Sequence, residues 1–142
     1  LQMTAATRHR QLIRQTVKTL ITDALSYMSG LAVTTQMRVD IPEGHDHAVS
    51  VFFLKGDVDE GYYRDDGAVL AIRIITSSQQ DPQEELDGLA DSIENVIATD
   101  VTLGGIVQHA TQKQWQYQPD DTGRHILALL YDVNYQTNQE QT

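Results

Sequence analysis

AVSVFFLKGDVDEGYYRDDGAVLAIRIIT, residues 48–76, decides how this chain is read. Its two ends, AVSVFFL (48–54) and AVLAIRIIT (68–76), are rich in β-branched and aromatic residues and predict strands. Between them, KGDVDEGYYRDDG (55–67) holds five carboxylates and three glycines. That composition disfavours a strand and predicts a long acidic hairpin loop, of a length that signals function or disorder. The question is whether this loop binds a metal, makes an assembly contact, or merely connects.

Working outward, residues 8–29 predict a helix: Ile13, Val17, Leu20, Ile21, Ala24, Leu25 and Met28 recur at helical spacing, and Gly30 supplies a stop. Residues 32–41 predict a strand, with Val33, Met37, Val39 and Ile41 alternating before Pro42 and Gly44. DPQEELDGLADSIENVI (81–97) predicts a second helix, with Asp81 as cap, Pro82 in the first turn and an apolar stripe through Leu86, Leu89, Ala90, Ile93, Val96 and Ile97. QKQWQYQ (112–118), PDDTG (119–123) and RHILALLYDVNYQT (124–137) predict a terminal hairpin. The element order gives an α+β fold, a mainly antiparallel or mixed β-sheet with both helices packed on one face. One domain is expected over 3–137, starting at Met3, with a frayed tail at 138–142.

The bulk numbers exclude several roles. There are 142 residues and no cysteine, which removes disulfides, thiolate metal sites and thiol nucleophiles together. No apolar run approaches the roughly 18 residues that a membrane span needs. A net charge of −10 opposes general binding to phosphate backbones. The charge is also divided: Arg8, Arg10, Arg14 and Lys18 cluster near the start, whereas residues 81–100 hold seven acids and no base. Such a division fits either plain solubility or a role in subunit contacts.

No catalytic signature stands out. A Gly-x-Ser-x-Gly elbow and a phosphate loop are absent, and Gly104-Gly105 lacks the rest of a dinucleotide fingerprint. Counted from Asp57, an EF-hand register puts Tyr62 where glycine belongs and Ala68 where the bidentate acid belongs. A divalent-metal site from His45, His47 and acids of the 57–66 loop remains an alternative; two histidines at this spacing more often are plain exposed residues. A third reading is an acidic inhibitor that imitates phosphate. No cofactor, no metal and no enzymatic activity are expected.

Taken together, HRQLIRQTVKTLITDAL, VFFLKGDVDEGYYRDDGAVLAIRI, DPQEELDGLADSIENVI and WQYQPDDTGRHILALLYDVNYQT resemble the phage minor tail protein U family, the tail terminators of long-tailed phages. The resemblance implies a small protomer that closes with its copies into a hexameric ring. That ring would cap the tail tube, stop its elongation and offer its other surface to a head-tail connector protein, with DNA only passing through the lumen. The place implied is the head-proximal end of the virion tail, after assembly in the host cytoplasm. A portal-side neck or tail-completion protein is the near alternative. The family carries no catalytic residues and fixes no interface positions by motif. The candidate interface therefore comes from the chain itself: Arg10, Arg14 and Lys18 of the first helix, and Asp57, Asp59, Glu60, Tyr62, Tyr63, Arg64, Asp65 and Asp66 of the acidic segment, with the two tyrosines as anchors.

Overall fold

The hairpin between the two apolar runs is the spine of the sheet, and its arms are much longer than the sequence suggests. The computed structural model describes residues 4–37, 40–61, 64–118 and 123–137. Helix α1 spans Ala5–Ala24 and α2 Pro82–Ala98; the strands are β1 Leu31–Thr34, β2 His47–Glu60, β3 Arg64–Thr76, β4 His109–Gln118 and β5 His125–Thr137. They form one sheet in the order β1-β2-β3-β5-β4. The β1–β2 pair is parallel and the other three are antiparallel, so the expected α+β fold with a mixed sheet is present.

The long acidic loop is a correction. Residues 55–60 and 64–67 continue β2 and β3, leaving a connection of only Gly61, Tyr62 and Tyr63, and the two tyrosines lie outside the described residues. Composition disfavoured this arm, but tertiary pairing overrides it: β3 is laddered on its other side to β5, from Arg64↔Thr137 to Gly67↔Asn134. A register shift between Phe53 and Lys55 accommodates the change from apolar to acidic strand. Gly56 suits the close approach there, because a Cβ would lie 3.0 Å from the Gly67 carbonyl oxygen, a tight contact.

The strand expected at 32–41 shrinks to Leu31–Thr34; Met37 is exposed, and Val39 is not among the described residues. A parallel neighbour explains this, since the chain must return to its starting level before β2, a crossover of about a dozen residues. The return uses the residues that the alternation assigned to a strand. Gly30 aligns the two strands: its carbonyl accepts from the Asp46 and His47 amides at 2.8 and 3.1 Å.

Both helices end where local chemistry dictates. Thr4 caps α1 by accepting from the Thr7 amide at 3.2 Å, and Leu25 closes it, earlier than the expected residue 29. Asp81 caps α2 by accepting from the Glu84 amide at 3.2 Å, with Pro82 in the first turn. Ile13, Val17 and Ile21 of α1 and Leu86, Leu89, Ile93 and Ile97 of α2 share one core with Val49, Val51, Leu70, Ile72, Ile74, Leu129 and Val133. These sheet residues all point to the same face, so both helices cover that face, and among the described residues no helix lies on the other.

Candidate assembly surfaces

Asp66 organises the base of the acidic arm. It lies buried on β3, 5% exposed, with Arg64 Nε at 2.8 Å from Oδ1 and Arg64 Nη2 at 3.3 Å from Oδ2. Arg10 of α1 approaches from the helix layer, Nη1 3.8 Å from Oδ2. The hydrogen bond to Asp66 raises the Arg64 pKa further above its ordinary value. Tyr135 of β5 borders the cluster; burial raises its phenol pKa, and the His9 ring stacks on it at 4.9 Å, almost parallel. Two guanidiniums thus hold one carboxylate where helix, arm and terminal strand meet. Arg10, Phe53, Asp66 and Tyr135 help line a cavity of about 220 Å³ beside it.

The sequence candidates divide accordingly. Arg10, Arg64 and Asp66 come together. Asp59 stands opposite Asp65 and Glu60 opposite Arg64 on the paired arms, while Asp57 faces Gly67. Arg14 and Lys18 are not part of this cluster; they continue along α1. Tyr62 and Tyr63 lie outside the described residues.

The metal alternative is not supported by placement. His45 is exposed and its Nδ1 lies 3.2 Å from the Glu43 carbonyl oxygen, whereas His47 is buried and its Nε2–H donates to the Glu85 carboxylate of α2. That bond lowers the Glu85 pKa. Asp57 is ten residues farther along β2, roughly 33 Å from His47 at strand rise. Among the described residues no three His, Cys, Asp or Glu side chains gather as metal ligands would.

A second surface was not singled out by sequence. Between α2 and β4 a groove of about 300 Å³ is lined by Asp87, Asp91, Glu94, Trp115, Tyr117 and Leu129, among others. Trp115 is 61% exposed and meets Tyr117 edge-on, centroids 5.7 Å apart. The Tyr117 hydroxyl donates to Asp87, and this bond pushes its pKa up to about 12. The available signal was Trp115 and Tyr117 on one side of a polar strand, the other residues of QKQWQYQ being four glutamines and Lys113.

Residues 6–135 match the family model of the phage minor tail protein U. No curated protein matches the sequence. Solved structures share the fold, two of them as follows. One is a chain from the virion of a native gene transfer agent particle, with a TM-score of 0.50 and 9% identity, covering 87% of this chain and 94% of that one. The other is from the PVC sheath/tube terminator, in its extended state, of an extracellular contractile injection system, with a TM-score of 0.53 and 16% identity. Here 87% of this chain is covered and only 56% of the other, so this chain spans about half of that protein.

Proposed function

The chain belongs to the phage minor tail protein U family, proteins of the virion tail, and from that premise we propose that it is a tail terminator. Copies close into a hexameric ring; the ring seats on the open end of the tail tube, occupies the surface on which the next tube ring would stack, and presents its other side to the head-tail connector. The role is structural, with no catalytic step. The observation that carries this reading is the extent of the family match, which takes in all of α2, all but the first residue of α1 and all but the last two residues of the five-stranded sheet. The fold likeness to a sheath/tube terminator supports it. A chain of charge −10 repels phosphate, which suits a lumen that DNA passes through without sticking.

The acidic arm is the element we assign to the tube. It projects beyond β1 at the end of the sheet, with Asp57, Asp59 and Glu60 on the outer strand and Tyr62 and Tyr63 in its connection. The test is tube length by electron microscopy, with cognate tube protein polymerised with and without this protein. Sub-stoichiometric protein shortens the tubes, and Tyr62→Ala with Tyr63→Ala weakens the effect while leaving the fold intact. Unchanged lengths with a folded, ring-forming protein reject the terminator role and favour the portal-side neck reading.

A further inference from the structure

The two lateral sides of the protomer differ in charge, and their open strand edges stand at the same level. On one side lies the α2–β4 groove. Asp87 reaches β4 through Tyr117, whereas Ser92, on the opposite flank of α2, lies 3.4 Å from Tyr27 after α1. Asp87, Asp91 and Glu94 therefore point away from α1, over β4, where Trp115 stands exposed. On the other side, His9 meets Ile106 and Tyr135 and so marks the inner flank of α1. Lys18 follows nine residues later, about 180° around the helix, and Arg14 about 140°, so both stand on the outer flank over β2. Among the described residues neither has an ion-pair partner.

The sheet edges below these flanks are open as well. Among the described residues, β4 has β5 as its only neighbour, and β1 covers β2 only over His47–Ser50. Followed across the ladder, Val51 pairs through Ile72 and Leu129 with Trp115, and Asp57 through Gly67 and Asn134 with His109. The uncovered part of β2 and the first two thirds of β4 thus stand at one height on opposite edges. The strand directions match too: β4 runs opposite to β2, so the same sheet continued into a second copy remains antiparallel at the joint. Helix heights agree. Arg10 sits by Asp66 at the arm, and Lys18 is eight residues down α1, roughly 12 Å lower. Glu94 lies near Tyr131, which is level with Phe53.

We infer that the occupant of the α2–β4 groove is the outer α1 flank of the next copy of this chain, Arg14 and Lys18 entering beside Trp115 and meeting Asp91 and Glu94, with β4 of one copy facing Val51–Asp57 of the next. The contact joins two different patches, as ring closure requires, and an indole face near cationic side chains adds attraction beyond the carboxylates. This rests on the ring reading above and specifies its lateral joint.

The absence of native cysteine makes a test direct. Lys18→Cys and Glu94→Cys proteins are prepared separately and treated with a short bis-maleimide, alone and mixed in equal amounts, beside sedimentation of the unmodified chain. The expected result is a cross-linked dimer in the mixture at least tenfold above either variant alone, and a ladder from the double variant. Arg14→Cys with Asp91→Cys gives the same pattern and guards against loss of folding in one variant. Cross-linking of a single variant with itself overturns the joint in favour of a two-fold contact. Assembly of the unmodified chain without cross-linking in either mixture overturns the joint and leaves the ring. A chain that stays monomeric at every concentration overturns both.

Discussion

Replacing Asp66 with Ala isolates the strongest polar contact at the arm. The side chain is 5% exposed and accepts from Arg64 at 2.8 and 3.3 Å, with Arg10 at 3.8 Å. A charge-assisted hydrogen bond is worth about 1.5–3 kcal/mol, and breaking a buried pair by removing one partner costs about 3–5 kcal/mol. Both arginines are partly open, 21% and 35% exposed, so the stranded charges regain water and the cost falls below that upper range. The expected loss is about 2–4 kcal/mol for Asp66→Ala, and roughly half for Asp66→Asn, which keeps the shape and one acceptor. With a urea slope near 2 kcal/mol/M, the unfolding midpoint of the Ala variant falls by about 1–2 M. Two-state urea unfolding followed by circular dichroism measures it. A loss under about 0.5 kcal/mol would refute the reasoning, because a surface ion pair would then describe Asp66 equally well.

Other outcomes follow from neighbouring features. Trp115→Ala changes stability by less than about 0.5 kcal/mol, since the ring is exposed, yet shifts the assembly midpoint measured by sedimentation to at least tenfold higher concentration. Gly30→Ala destabilises by about 1–3 kcal/mol in thermal unfolding, because φ is +75° and the new Cβ would lie 3.1 Å from Asp46 Oδ2. The His47 contact lowers the folded-state pKa of Glu85, so its stabilisation is present above the ordinary carboxylate value and is lost as pH falls through the folded one; Glu85→Gln flattens that acid limb in unfolding curves taken from pH 7 downward. Amides of Asp57–Glu60 and Arg64–Gly67 that pair across the hairpin exchange as slowly as strands even in the monomer, measured by hydrogen exchange, whereas a free loop exchanges fast.

What could be read in advance follows from where local signals decide the outcome. α2 was legible because its cap, first-turn proline and apolar stripe agree, and β5 because alternation holds through Leu127, Leu129, Tyr131, Val133 and Tyr135. The acidic arm was not, because Gly56, Asp57, Asp59 and Gly67 carry weak strand propensity, and β3, on which the β2 residues pair, is itself held by the ladder to β5, a partner some seventy residues away in the chain. β1 is shorter than alternation predicts because its parallel pairing depends on a return path that no local pattern encodes. Of the candidate contact residues, Arg10, Arg64 and Asp66 meet as one cluster, whereas Arg14 and Lys18 lie one and two turns farther down α1, away from the arm. Trp115 escaped notice because its neighbours on α2 are joined to it only by folding.

The level alignment of the two sheet edges has a consequence for how far assembly can run. When head-to-tail copies meet through edges offset along the strand direction, each addition climbs, and the array winds into a filament without end. Here Val51 and Trp115 stand in one row of the ladder, as do Asp57 and His109. If copies join through these rows, as inferred above, the joint adds no climb, and a turn per copy that divides the full circle brings the last copy to the first. On that reading, the strand register limits the size of the terminator's own array before any tube is encountered.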